Sequence, residues 1–502
     1  MVSLVGLLFA LPFILFSMTG GFLADRFSKR GVTIATKYFE IAVMILALAA
    51  LAAHSLIFSL AAIFLACTQG ALFGPSKYGL LPELLPNSRL SWGNGILELG
   101  TFLAIIAGTV AGSHMAESFR ARPLIPGILL LAFTVVGLLT SLGIVRVPAA
   151  APDKKFRIDA FRDLWEQYKL LRADRVLWLA VSGNTYFWFL GALLQAAVIV
   201  YGQDVLHVDP TRISFFQASL AVGIGLGSAA AGYLSGGKIE YGLIPLGSIG
   251  MTGLGMLLAL HGLSFYGVLY LLAGLGFAGG FFVVPVNALI QHRPASGQRG
   301  GVIAAANLLS FIGIAAASGA YFLLARVLRV GPAAIFFWAS VATLAATAYI
   351  CYLLPDSLLR LLLWFATHSL YRLDVKGREN VPARGGALLV PNHASMVDAV
   401  LLYACIDRPV RFLMFKDLYE HWFIKPFARI LEVIPVSSQQ RPRELIHSLR
   451  AATEALRNGQ LVGIFPEGQM TRIGQLLPFR RGMERIMKGA DAPIIPVHID
   501  GI

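Results

Sequence analysis

Two residues five positions apart, His393 and Asp398, hold the pattern with the most chemistry in this 502-residue chain. A neutral imidazole accepts a proton near pH 7, and a carboxylate beside it fixes the tautomer and stabilises the imidazolium that forms. The apolar run Ala387-Leu-Leu-Val390 reads as a buried strand, and the aspartate falls where a helix would begin, so the pair would meet at the mouth of a sheet. That is a base with its orienter, and what it lacks is a hydroxyl to deprotonate. With ten histidines in the chain the spacing alone is weak, because a surface capping pair would produce it too. Its companions add weight. Asn392 precedes the histidine, and the segment from Gly463 to Arg472, with Pro466, Glu467, Gly468 and Thr471 inside it, brings a carboxylate, a tight turn and a cation.

These residues need a frame. Strands are expected near 411–415, 433–436, 461–465 and 493–499, helices near 421–431 and 442–457, and Val375 to Gly386 reads as a strand with turns. The alternation makes 375–502 an α/β domain. Cys405 is the one cysteine in it and falls in an apolar helix, so it reads as packing. Cys67 and Cys351 fall in apolar spans, and the three cysteines give neither metal-ligand spacing nor a disulfide framework, so no metal is expected.

The remaining chain has a different character. Hydrophobic residues make up 57% and charged residues 14% of the whole, with a mean hydropathy of +0.71, and long apolar stretches recur at bilayer length, which excludes a soluble domain over 1–355. The segments lie near 2–20, 35–53, 56–74, 94–114, 124–146, 177–201, 213–235, 242–261, 266–290, 302–326 and 332–354. A polytopic α-helical membrane protein with about eleven spans is expected. Arg26, Lys29, Arg30 and Lys37 flank one junction, Lys77 and Arg89 another, and a basic stretch from Arg146 to Arg175 a third, whereas junctions 54–55 and 262–265 carry no Lys or Arg. Alternate loops are therefore cytoplasmic, with Arg120, Arg122, Arg326 and Arg329 as exceptions. Within 147–176, Phe156 to Leu171 reads as an amphipathic helix with Phe161, Leu164, Trp165, Tyr168 and Leu171 on one face, suited to an anionic leaflet or to life as a solvated linker. Leu358 to Leu370 is an interfacial candidate, with Arg360 and Arg372 directed toward phosphates.

The motifs around His393 resemble the glycerophospholipid acyltransferase family. The resemblance implies that His393 and Asp398 activate a glycerol hydroxyl for direct attack on an acyl thioester, with no acyl-enzyme. It implies that Pro466, Glu467 and Gly468 shape the acceptor site and that Thr471 and Arg472 contact phosphate. Ser437 and Ser438 stand where many relatives place an arginine for a terminal phosphate dianion, which favours a phosphodiester headgroup such as ethanolamine, although Arg441 and Arg443 are close by. The match to lysophosphatidylethanolamine acyltransferases agrees.

The segment Gly21-Phe-Leu-Ala-Asp25-Arg26-Phe-Ser-Lys29-Arg30 resembles the loop between the second and third helices of major facilitator transporters, where Asp and Arg form a cytoplasmic latch. Counting from the second helix makes about twelve spans, so the first helix is expected to lie outside this sequence, and 147–176 becomes the linker between two halves. Gly74-Pro-Ser-Lys77-Tyr-Gly-Leu-Leu-Pro-Glu83, Asn94-Gly-Ile-Leu-Glu98 and Gly279 to Leu289, with Asn287, narrow the resemblance to bacterial lysophospholipid transporters. Glu98 inside a span should point into the bundle or a wet cavity. Glu40, Asn184, Asn287 and Asn307 pose the same question, with an interhelical hydrogen bond the simpler reading for each Asn. Lys77 is a candidate for a lipid phosphate.

The domains are thus a transporter over 1–355, an interfacial linker over 356–374 and an acyltransferase domain over 375–502, whose C-terminal part is expected to be incomplete. The fold expected is a major facilitator bundle followed by a cytoplasmic α/β domain, in a bacterial inner membrane. The expected function is lysophospholipid transport coupled to reacylation of lysophosphatidylethanolamine. The alternatives are a membrane-anchored lysophosphatidic acid acyltransferase without transport, and a transporter carrying an inactive lipid-binding domain. No cofactor is expected to bind tightly, acyl-ACP or acyl-CoA being a co-substrate. The net charge of +14, with Lys425, Arg429, Arg441, Arg443, Arg480, Arg481, Arg485 and Lys488 in the last domain, points to anionic headgroups and an acidic acyl carrier protein as partners, with no nucleic acid for a membrane-embedded chain. In related fusions an acyl-ACP ligase domain comes next, and nothing in these residues shows one.

Overall fold

The computed structural model describes residues 2–120, 122, 124–155, 160–382, 384–406, 408–436, 442–471 and 475–500. They form two compact units, 1–350 and 351–502.

In the first unit each apolar segment becomes a helix: α1 (Val2–Arg26), α2 (Lys29–Ala52), α3 (Leu56–Leu84), α4 (Leu90–Ser118) and α5 (Leu124–Leu142), then, beyond the linker helix α6 (Ala160–Ala173), α7 (Arg175–Asp204), α8 (Pro210–Leu234), α9 (Leu243–Leu258), α10 (Phe265–His292), α11 (Arg299–Phe322) and α12 (Pro332–Leu353). Among the described residues nine helices are long and apolar enough to cross a bilayer, α9 is shorter, and α1 runs for 25 residues. Several outrun their apolar windows. Helix α3 continues through Pro75 and Pro82 to Leu84 because the polar groups that end the hydrophobic run find partners on other helices, Lys77 on Thr101 and Glu83 on Lys29. Close packing needs small residues: a Cβ on Gly227 of α8 would lie 2.1 Å from the Phe277 carbonyl oxygen of α10, and one on Gly276 of α10 2.2 Å from that of Leu220. The linker helix begins later than expected, residues 156–159 lying outside the described set. Its Trp165 is exposed and stacks on Tyr168, while Leu171 is buried.

The second unit contains a five-stranded, all-parallel sheet: β1 (Ala387–Pro391), β2 (Val410–Phe415), β3 (Ile434–Val436), β4 (Leu461–Gly463) and β5 (Ile494–Val497), in the order β3-β2-β4-β1-β5. Strand β1 is buried along its whole length, as a sheet covered on both faces requires. Its alternate side chains feed two cores. Leu388 and Val390 pack with Leu449, Ala452 and Leu456 of α17 (Pro442–Arg457), while Ala387 and Leu389 pack with Leu402 and Tyr403 of α14 (Asp398–Cys405).

Three expectations change. The 375–386 segment holds no strand among its described residues, only a single turn at Arg378–Asn380 between Gly377 (φ 73°) and Gly385 (φ 84°), whose left-handed backbone breaks extension. The 421–431 helix is instead the short pair α15 (Lys416–Tyr419) and α16 (Lys425–Ile430), because Pro426 has no N–H and is favoured in a first turn. Arg360, on α13 (Pro355–Leu370), does not reach outward: it is 6% exposed, close to Asp356 and Tyr403. The last helix is α18 (Gly482–Met487).

Candidate functional site

In a parallel sheet the loops leaving the carboxyl ends of the strands meet along one edge, and ligands bind there. The chain leaves β1 at Pro391 and reaches His393 two residues later. Asn392 ties this exit to the strand beside it, donating from Nδ2 to the Ile499 carbonyl (2.9 Å) and accepting the Ile499 N–H on Oδ1 (2.7 Å). His393 Nδ1 lies 2.9 Å from Asp398 Oδ2. A carboxylate only accepts, so Nδ1 carries the proton and Nε2 is left as the acceptor. Asp398 is fully buried at the first turn of α14, and the same Oδ2 receives the N–H groups of Ala394 (2.7 Å) and Ser395 (2.8 Å). The imidazole side chain remains 20% exposed.

The second motif holds this loop from behind. Glu467 is 2% exposed and gives both oxygens to backbone: Oε1 accepts the His393 N–H and Oε2 the Leu477 N–H, each at 3.0 Å. The Thr471 N–H donates to the His393 carbonyl at 2.9 Å, and the Arg480 N–H to the Pro466 carbonyl at 2.8 Å. Gly468 adopts φ 67°, a left-handed conformation that favours glycine, and the Arg480 side chain packs over it, 2.8 Å from where a Cβ would stand. Phe465 stacks on the imidazole, ring centroids 4.1 Å apart. The structure thus brings Pro466, Glu467, Gly468 and Thr471 to His393 and Asp398, with Glu467 positioned as a clamp on backbone. Arg472 lies outside the described residues, as do Ser437, Ser438 and Arg441, and the side chain of Arg443.

Neighbouring titratable groups do not compete for the role of base or nucleophile. Burial pushes the Cys405 thiol up from its ordinary value, with Arg378 opposing, so it stays protonated. Burial pushes the Tyr403 phenol up to about 12, and the Asp356 carboxylate adds to the effect.

The first unit has its own polar centre. Asp25, fully buried at the end of α1, accepts the N–H groups of Gly300 (2.7 Å) and Gly301 (3.1 Å) at the start of α11, and pairs with Lys154 at 2.7 Å. A helix N-terminus favours an anion, so this carboxylate fastens the two halves together. The Arg26 guanidinium instead lies over the Phe22 and Phe27 rings. Deeper in, Lys77 donates to Thr101 (3.0 Å), while Glu98 accepts from Tyr78 (3.1 Å) and Asn287 (3.2 Å), so the three residues singled out at this depth converge. One turn nearer the Asp25 end, Asn94 and Gln291 exchange two hydrogen bonds of 2.9 and 2.8 Å between α4 and α10. Asn184 bonds Ser310, an interhelical contact, and Glu40 pairs with Lys37. Lys77, Asn287, Asn184 and Asn307 line a cavity of about 1040 Å³ whose walls are otherwise largely apolar.

Sequence reasoning quoted Phe465 and Asn94 within motifs but gave neither a role, and it missed Lys154 and Gln291. For Phe465 its place beside Pro466 was a signal. Lys154 lies 129 residues from Asp25 and nothing local marks it.

Residues 372–500 match the Acyltransferase family model and residues 1–318 that of the Major Facilitator Superfamily. Curated relatives include the lysophospholipid transporter LplT of Klebsiella pneumoniae, 32% identical over 247 residues, covering 47% of this chain and 59% of the relative. LplT of an Enterobacter species is 31% identical over 231 residues, with 44% and 55% covered. The chain thus spans less than two thirds of the length of these relatives. Similar solved structures include the E. coli fucose:proton symporter FucP, with TM-score 0.57, 12% identity and 70% of this chain and 90% of that one covered, and the human organic anion transporter TETRAN, with TM-score 0.55, 16% identity and 69% and 83% covered. At these identities the likeness is one of fold.

Proposed function

This chain belongs to the Major Facilitator Superfamily and carries an acyltransferase domain, and from that premise we propose that it moves lysophospholipid across the bacterial inner membrane and reacylates it. The acceptor is the free hydroxyl of lysophosphatidylethanolamine, and the donor is acyl-ACP or acyl-CoA. The observation that carries the chemical half is the 2.9 Å contact between His393 Nδ1 and an Asp398 held by two backbone N–H groups. Nε2 takes the hydroxyl proton as the oxygen attacks the thioester carbonyl, and Asp398 stabilises the imidazolium. Collapse of the tetrahedral intermediate breaks the C–S bond, and the imidazolium returns its proton to the departing thiolate. The ester keeps the acyl carbon and the carrier leaves as a free thiol.

The transport half draws on the likeness to LplT and on the cavity. Its volume of about 1040 Å³ accommodates a headgroup and part of one chain, and Lys77 offers the cation for the phosphate. Basic loops on the side of Asp25 argue for that face, and the acyltransferase domain, being cytoplasmic. Fusion of the two activities raises the local concentration of lysolipid at the second.

The test is acyl transfer by purified protein to lysophosphatidylethanolamine and, separately, lysophosphatidic acid, with each thioester donor and His393→Ala as control. Turnover on the ethanolamine lipid that falls by about 10³-fold or more in the variant is the expected result. Turnover that survives in His393→Ala, or that is confined to lysophosphatidic acid, overturns the reading.

A further inference from the structure

The sheet of the second unit has two edges, and they differ. At the amino-terminal edge, the loops around 384–386, 458–460 and 490–493 contribute no large exposed apolar side chain among the described residues, and only Ile430 before β3 and Ile494 at the start of β5 are exposed there. The catalytic edge contributes many. Met396 follows His393, Phe415 ends β2, and Trp422 and Phe423 stand in the turn between α15 and α16, with Trp422 79% exposed. Leu476 (65% exposed) and Phe479 lie beyond β4, and that stretch is pinned to the site because Leu477 donates to the Glu467 carboxylate that also receives the His393 N–H. Exposed cations are interleaved: Arg480 and Arg481, while Lys425 covers the nearby Glu420. Exposed aromatic and aliphatic side chains beside arginines match the boundary of an anionic bilayer, where rings sit at headgroup depth and guanidinium groups meet phosphates.

We propose that the catalytic edge of the second unit, through Met396, Trp422, Phe423, Leu476 and Phe479 with Arg480 and Arg481, docks on an anionic leaflet, so that the acceptor lipid reaches His393 without leaving the bilayer. The docking deepens the acyl-transfer reading and rests on it for its purpose, yet it can be measured without turnover. An acidic carrier protein is the rival occupant of the same surface.

The experiment uses the full chain with Cys67, Cys351 and Cys405 replaced by alanine, a Trp422→Cys or Leu476→Cys substitution labelled with an environment-sensitive fluorophore, and reconstitution into vesicles containing phosphatidylglycerol. Asp491→Cys, exposed near the opposite edge, is the control. Nitroxide-bearing lipids should quench labels at 422 and 476 by about threefold or more, leave 491 nearly unquenched, and lose effect when the anionic lipid is omitted. A second arm pairs Trp422→Ser with Phe423→Ser: transfer to a long-chain acceptor in vesicles should fall by about tenfold while transfer to a water-soluble short-chain acceptor holds. Quenching at 422 and 476 in a chain without turnover would uphold docking and sink the enzymatic reading instead. Labels at both positions that stay in water, or that respond only to added acyl carrier protein, overturn the proposal.

Discussion

Asp398 and Asp25 are both fully buried aspartates that receive two successive backbone N–H groups and one side-chain donor. The third partner separates them. For Asp398 it is an imidazole five residues away, a fifth of whose side chain is exposed, and the carboxylate sets up chemistry. For Asp25 it is the ammonium of Lys154, and the backbone groups lie 275 and 276 residues away on the other half of the bundle. There the same carboxylate device is a fastening. What a buried carboxylate does is decided by what else it touches and by whether that group can still reach the outside.

The contrast can be broken first where it is strongest. Asp398→Asn keeps an oxygen for the Ala394 and Ser395 N–H groups but removes the charge behind the imidazolium, so kcat for acyl transfer should fall by about 10³-fold while lysolipid uptake is untouched. Glu467→Gln comes next. Its amide would turn a donor toward either the His393 or the Leu477 N–H, so His393 should shift and kcat fall by about 10²-fold with the acceptor KM little changed. A rise in KM alone would make Glu467 a headgroup contact after all. Asp25→Asn should do the reverse, lowering uptake into vesicles by about tenfold or more through loss of a buried charged contact while acyl transfer in detergent is unaffected. Smallest is Cys405→Ala, expected to leave kcat/KM within about twofold. Because burial raises the Cys405 thiol, its alkylation by iodoacetamide should be slower at pH 8 than that of an exposed thiol and should accelerate as the pH rises toward its titration.

The same two aspartates mark how far sequence could be read. His393 and Asp398 were legible because a strand end and a helix start put them within reach, and the α/β character of the domain followed from alternation of apolar runs and helices, whereas the parallel pairing and strand order came only with the structure. The segments expected to cross the bilayer were legible as helices, since length and hydropathy decide them. Glu467 was placed by motif near the site, but its work, holding two backbone N–H groups, leaves no side-chain pattern to read. Arg360 was expected to face phosphates from an amphipathic stretch. It is buried because α13 packs on α14 in the second unit, a tertiary fact no local periodicity encodes. Lys154 was hidden for the same reason, and Arg26, which stood beside Asp25 in the motif, drew attention instead.

The most direct test places the acyl thioester inside sealed vesicles bearing the reconstituted chain, adds lysophosphatidylethanolamine outside, and follows diacyl product. The wild-type chain should form product; His393→Ala should accumulate unmodified lysolipid inside; Asp25→Asn should form product about tenfold or more slowly from external lysolipid, and at the wild-type rate when lysolipid is supplied within. Product from external lysolipid at the wild-type rate in Asp25→Asn, or in vesicles carrying His393→Ala, would contradict the account that one chain holds a latch-dependent transporter and a histidine-dependent acyltransferase.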